Sequence, residues 1–331
     1  MSPTTIREVA KYANVSEATV SRVINKKGYV SQETLKQVED AIKHLNYKPN
    51  EVARMLYKKK SNTIALLIPD ITNPFFPELA KAIEEVAKKK GYVVVLCNTK
   101  SDPEIEKKYV TELTSKYIDG LIIMNQSCED TVYQNLPFST VFLDRVDKNK
   151  SSYIAVQNQE GGKLATEHLI SLGCKSILHL SGPSNIITAV ERAEGYQTAM
   201  KQHGLLIETK ECKYEADYAY QMSQAIFKDG NRFDAVFAGN DLIAAGVLRA
   251  AKEIGINVPN DLQIIGYDDI DLCKYTTPQL TTIQQPIYLM GEKAAELLIE
   301  KIEGVYDVRD SNYLLPVTLM ARGSTKPLDS I

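Results

Sequence analysis

The chain has 331 residues, 44% of them hydrophobic and 24% charged, and a net charge of −3 at neutral pH. That balance belongs to a folded globular protein and excludes a disordered or fibrous one. Five cysteines (Cys97, Cys128, Cys174, Cys212, Cys273) are dispersed without a C-x-x-C pair, which argues against a disulfide framework or a zinc site and fits a reducing cytoplasm. The first residues carry no basic stretch followed by an apolar one, and apolar runs such as Ile64 to Ile68 are strand-sized, so neither an export signal nor a membrane span is expected.

Thr5 to Asn25 reads as two short amphipathic helices around a tight turn. Ile6, Val9, Ala10 and Ala13 fall on one helical face, and Thr5 with Glu8 makes a capping-box start. Asn14-Val15-Ser16 breaks the pattern, and Ser16 caps a second helix. Its Val20, Val23 and Ile24 face inward, leaving Glu17, Ala18, Ser21, Arg22 and Asn25 outside. A third helix, opened by Ser31, sets Leu35, Val38, Ile42 and Leu45 at helical spacing and completes a small all-α core. A helix-turn-helix of this kind presents its second helix to the major groove. An ordinary helical hairpin has the same periodicity, but charge separates the two readings. Residues 1–60 hold twelve Lys and Arg against six acids, a net of +6, which leaves −9 on the remainder. A cationic piece on an anionic body is the split expected when only that piece meets phosphate.

Pro49 ends the third helix, and Asn50 is placed to cap one more, short helix with Val52, Ala53 and Leu56 on one side. Its apolar face is too small to hold it folded alone, so it is expected to fold against a twin and on DNA. The run Val-Ser-Glu-Ala-Thr-Val-Ser-Arg-Val-Ile-Asn25, followed by Asn50 and Ala53-Arg54-Met55-Leu56, resembles the lactose-repressor (LacI/GalR) family of bacterial transcription regulators. The resemblance implies paired hinge helices in the minor groove, with Leu56 wedged between base pairs to bend the duplex. It also implies a DNA-facing set of Thr5, Ser16, Glu17, Ala18, Thr19, Ser21, Arg22, Asn25, Tyr47, Asn50, Ala53 and Leu56.

From Thr63 onward, apolar runs alternate with helical stretches. The runs are 63–68, 92–96, 120–124, 140–143, 176–180, 235–238 and 262–265. Strands that are apolar throughout and separated by helices imply doubly wound parallel sheets, here in two lobes. In such sheets a ligand sits beyond the carboxyl ends of the strands. Those ends carry Asp70, Asn73, Phe75 and Phe76, then Asp144-Arg145, Asn240-Asp241, Asp268-Asp269 and Gln284-Gln285, with Arg192 on a later helix. Taken singly, the ion pair could be superficial, the phenylalanines core and Asn240-Asp241 a helix cap. Recurrence at one end of the sheets favours a small polyhydroxylated ligand. Carboxylates, amides and a guanidinium fork bind hydroxyls, and aromatic faces pack on the ring. A phosphorylated ligand would meet Asp144 and Asp268.

The body, about residues 62–325, is similar to the periplasmic-binding-protein-like fold of that family, and its pocket pattern to the ribose-binding members. The resemblance implies sugar contacts from Asn73, Phe75, Phe76, Asp144, Arg145, Arg192, Asn240, Asp268 and Gln285, with Tyr218 where the pattern has phenylalanine. Three crossings between lobes are implied near 158, 286 and 320. The expected domains are a headpiece at 1–48, a hinge helix and linker at 49–61, one lobe of 62–157 plus 286–319, and a second of 158–285 plus 320–331.

The implied function is a dimeric repressor of a sugar-catabolic operon, bound to a palindromic operator and released by a small sugar, D-ribose. No cofactor, metal or membrane is expected, and no enzyme motif is present: there is no G-x-S-x-G, no H-E-x-x-H, no phosphate-binding loop, and the four histidines are isolated. A transport-type binding protein would share the body but not the cationic headpiece. A global catabolite regulator with a phosphocarrier protein as corepressor is the alternative within the family. The stretch to Ile331 has no heptad pattern, which favours a dimer over a tetramer.

Overall fold

Thr5 opens helix α1 (Ile6–Tyr12) with both halves of the capping box formed, its hydroxyl accepting from the Glu8 amide and the Glu8 carboxylate from the Thr5 amide. The Ser16 hydroxyl accepts from the Thr19 amide at the start of α2 (Glu17–Asn25), and that of Ser31 from Thr34 at the start of α3 (Gln32–His44). Val9, Ala10, Ala13, Val20, Val23, Val38 and Ala41 make their common core. Leu35, expected in that core, is 38% exposed instead, because the helix buries Val38 and Ala41 and turns Leu35 off the seam. The computed structural model describes residues 4–25, 28–48, 60–125, 130–133, 135–146, 152–228, 230–304 and 311–327. The hinge-helix positions Asn50, Ala53 and Leu56 lie outside the described residues. Two units result, Met1–Ser61 and Asn62–Ile331.

The second unit contains two six-stranded sheets. In the first, β1 (Thr63–Ile68), β2 (Val93–Asn98), β3 (Gly120–Asn125), β4 (Ser139–Arg145), β5 (Tyr153–Val156) and β11 (Tyr313–Leu315) run parallel in the order β11-β5-β4-β3-β1-β2. Helices α4 (Phe75–Lys89) and α5 (Pro103–Ser115) follow β1 and β2. The second sheet has the order β12-β10-β9-β8-β6-β7. Its strands are β6 (Ile177–Ser181), β7 (Glu208–Glu211), β8 (Ala235–Ala238), β9 (Gln263–Asp268), β10 (Thr281–Gln284) and β12 (Thr318–Met320), and only β12 is antiparallel to its neighbour. Helices α6 (Asn158–Ser171), α7 (Ile187–Gln202), α8 (Ala216–Phe227), α9 (Asp241–Ile254) and the short α10 (Leu272–Tyr275) belong to it.

Strands β1, β5, β6, β8 and β9 are buried almost throughout, as strands covered on both faces must be. Each lobe accordingly has apolar clusters on both sides of its sheet. The chain passes from the first sheet to the second after Val156. It returns between Gln284 and α11 (Ile287–Glu303), and crosses again between Leu315 and Thr318. Thr318 and Leu319 pair with Gln284 and Ile283 of the second sheet, so the last crossing falls a few residues before the expected 320. Strand β11 runs parallel to β5, and the chain continues straight from it into the second sheet, so β12 lies antiparallel to β10.

Candidate functional site

Strands β4 and β9 end in Arg145 and Asp268, and the turns after β1, β8 and β10 carry Asn73, Asn240 and Gln285. Asn73, Phe75, Phe76, Asp144, Arg145, Thr188, Arg192, Tyr214, Asn240, Asp268 and Gln285 line one nearly closed cavity of about 20 Å³. That is room for about one water, so a larger ligand enters only when the walls of the cavity move apart. Asn73, Asp144, Arg192, Asn240, Asp268 and Gln285 are each under a tenth exposed.

The backbone presents the carboxylates under constraint. Asp144 has φ +68°, Asp268 +116° and Asp269 +60°, in conformations that L-residues rarely adopt. Non-glycine residues in such regions cost about 1–3 kcal/mol each and concentrate where a ligand is gripped. The turn at Asp268 is held from behind by Asp241, fully buried, which accepts from the Ile270 amide (3.0 Å) and the Thr282 hydroxyl (2.6 Å). Burial drives the Asp241 carboxyl well above the usual carboxylate range, and the Asp268 carboxylate adds to it.

The charges balance in pairs. Arg192 Nη1 lies 3.4 Å from Asp268 Oδ1, and Arg145 Nε 3.9 Å from Asp144 Oδ2. Burial raises both aspartates against the pull of these arginines, and lowers Arg145. Burial acts most strongly on Arg192 and lowers it too, but Asp268, Tyr214, Tyr267 and Asp144 together outweigh it and the guanidinium is held more firmly charged. Gln285 Nε2 donates to Asp268 Oδ1 at 2.6 Å. Asn73 Oδ1 accepts from the Phe75 amide, and Asn240 Oδ1 from the Ile243 amide, so each amide both fixes a helix start and lines the cavity. Phe75 and Phe76 meet edge to face, and Arg145 lies 5.4 Å above the Phe76 ring and 5.8 Å above that of Tyr214.

Three buried polar atoms on this wall, Asp144 Oδ1, the Tyr214 hydroxyl and Gln285 Oε1, have no hydrogen-bond partner among the described residues. Buried groups are almost always paired, so such a cluster points to a ligand that supplies the partners. Donors and acceptors of both kinds, with aromatic faces, match a neutral molecule rich in hydroxyls.

Tyr218 is not in this cavity. It is 38% exposed and lines a separate surface groove with Lys210 and Arg232. Its ring sits in the first turn of α8, whereas Tyr214 precedes the helix and reaches inward. Thr188 and Tyr214 are the two lining residues missed from sequence; no spacing rule singled out either.

On α2, Glu17, Ala18 and Arg22 are exposed, and Thr19, Ser21 and Asn25 half-buried. Glu17 is paired with Arg7 at 3.1 Å, and Asn25 folds its amide back onto the Ser21 carbonyl. Tyr47 packs partly against the headpiece core. Among the described residues no helix is long and apolar enough to cross a membrane, and no His, Cys, Asp and Glu gather as a metal site.

The lacI family of bacterial regulatory proteins matches residues 5–50, and a periplasmic binding protein-like domain matches residues 166–325. The chain is 45% identical to a ribose operon repressor of Halalkalibacterium halodurans, over 98% of this chain and 97% of that one. Its structure is similar to that of the lac repressor dimer bound to operator and the anti-inducer ONPF, with TM-score 0.88, 32% identity and 98% and 99% of the two chains covered. It is also similar to a LacI family transcriptional regulator from Enterococcus faecium with bound ribose, with TM-score 0.73, 34% identity and 80% and 99% coverage.

Proposed function

The chain belongs to the lacI family of bacterial regulatory proteins, and from that premise we propose that it represses a sugar-catabolic operon and is released from its operator by D-ribose. It is a DNA-binding, sugar-responsive repressor and not an enzyme. The observation that carries the ligand class is the cavity itself, where two carboxylates, two guanidiniums and three amides converge with unpartnered polar atoms on its wall. The ribose-bound relative supports the choice among sugars.

The sugar contacts in this proposal are Asn73, Phe75, Phe76, Asp144, Arg145, Arg192, Asn240, Asp268 and Gln285, with Tyr214 in the aromatic place given from sequence to Tyr218. The DNA contacts are the set around Arg22 on α2, with the hinge residues Asn50, Ala53 and Leu56. The lobes are residues 62–157 with the segment from 286 to β11, and 158–285 with β12 onward, a division supported by sheet membership. The protein acts as a homodimer on a two-fold operator, because a headpiece of this size reads a half-site. The place of action is the cytoplasm. A polar cavity of this kind favours a small effector over a phosphocarrier-protein corepressor.

Titration calorimetry tests the ligand. D-ribose gives a saturable heat, ribose 5-phosphate and hexoses give little or none, and Asp268→Asn weakens ribose by about tenfold or more, since it leaves Arg192 without its counter-charge. A hexose or phosphosugar binding where ribose does not would replace the effector named here.

A further inference from the structure

The side chain that holds Arg192 from behind belongs to the crossing between the sheets. Asn158 is the first residue of α6, two residues after β5 ends, and is 1% exposed. Its Oδ1 accepts from Arg192 Nε at 3.0 Å. Its Nδ2 donates to Glu191 Oε2 at 3.2 Å and, at 3.5 Å, to the carbonyl of Val156, the last residue of β5 in the other sheet. Arg192 is fixed on its remaining sides by the Gly239 carbonyl at 2.7 Å from Nη1 and by the Tyr267 ring, 3.7 Å from the guanidinium carbon. Its Nη2 makes no hydrogen bond among the described residues and is the edge left for a ligand.

Helices α6 and α7 touch backbone to backbone at this point. A Cβ on Gly162 would lie 2.1 Å from the Arg192 carbonyl oxygen, and one on Gly195 2.0 Å from that of Gln159. The α7 backbone at Arg192 therefore cannot shift without carrying the start of α6 with it. The start of α6 is where one sheet hands the chain to the other.

We infer that Asn158 is a positioning residue that transmits occupation of the cavity to the first crossing: its carbonyl arm orients Arg192, and its amide arm ties that orientation to β5. The inference rests on the ribose reading above. It separates two quantities that a merely structural residue would move together, the affinity for ribose and the factor by which saturating ribose weakens operator binding.

The test is operator titration of the full-length protein with and without saturating ribose, beside calorimetry with ribose. Asn158→Asp keeps the acceptor for Arg192, removes the donor to Val156 and Glu191 and sets a carboxylate beside that of Glu191; Asn158→Ala removes acceptor and donor. The expected result for Asn158→Asp is ribose affinity within about threefold of the wild type, with most of the operator response lost. Asn158→Ala loses about tenfold or more in ribose affinity, as well as the response, because Arg192 Nε is left unpaired. Operator affinity without ribose stays at the wild-type level in both. A full response to saturating ribose in Asn158→Asp overturns the inference and leaves the ribose reading intact. A wild-type chain indifferent to ribose overturns both.

Discussion

His179 shows what a single buried group does to the pH response. It sits in the middle of β6, stacked on Phe237 at 4.4 Å with Tyr196 at 5.0 Å, and hydrogen-bonds through Nδ1 to the Phe237 carbonyl at 2.9 Å. Burial lowers its pKa to about 4. The unfolded chain binds a proton near pH 6.5 and the folded chain only near 4, so the histidine's contribution is complete above pH 6.5 and is lost as pH falls toward 4. Over that window the loss comes to about 3 kcal/mol. Asp241 and Asp268, raised by burial, act with the opposite sign, so the contribution of His179 is read as a difference. The melting temperature of His179→Phe should fall less steeply than that of the wild type between pH 6.5 and 4; parallel curves would show that the ring does not titrate as described. The same scale separates what the sequence disclosed from what it hid. Asp144 and Asp268 were legible because each directly ends a recognisable strand. The choice between Tyr214 and Tyr218 was not, because it depends on α8 beginning at Ala216, which leaves Tyr214 in the extended approach and Tyr218 on the outer side of the helix.

At the scale of elements, periodicity recovered the helix-turn-helix and the central strands, where apolar residues are confined to one stripe or fill the whole run. It missed β7, whose Glu-Thr-Lys-Glu sequence is an exposed edge with no apolar signal. It also missed β5 and β10, four residues each, and β11 and β12, three residues each, the last two existing only through pairing partners more than a hundred and more than thirty residues away. Two predictions belong here. On α2, Arg22 is exposed on the face opposite Val20 and Val23. Arg22→Ala should cost about 1–3 kcal/mol at the operator and much less on random DNA in a gel-shift comparison; equal losses would make it a phosphate contact only. At the α6–α7 seam, Gly162→Ala places a methyl against a backbone carbonyl that has no rotamer to escape into. A loss of about 1–3 kcal/mol in urea unfolding is expected, as for other overpacked interiors. A stability unchanged by the extra methyl would mean that the seam is looser than its backbone distances imply.

For the whole molecule, charge and topology divide the labour. The first 60 residues carry +6 and the remainder −9, so attraction to DNA is confined to one part and sugar recognition to the other. Coupling between two such sites is typically about 1–3 kcal/mol and is reciprocal. Operator DNA should therefore weaken ribose binding by the same factor, about 5- to 150-fold, by which ribose weakens operator binding. Measuring both factors on one preparation checks this, and unequal factors would mean that a further ligand or assembly state intervenes. The burial of the cavity bears on time as well as on affinity. In the proposed site, a sugar held among Asn73, Asp144, Arg192, Asn240, Asp268 and Gln285, all under a tenth exposed, would leave only when the sheets part. Its residence is the waiting time for that opening. On that reading, transcription would outlast the sugar supply by that interval, and the repressor would set the minimum length of each episode of expression.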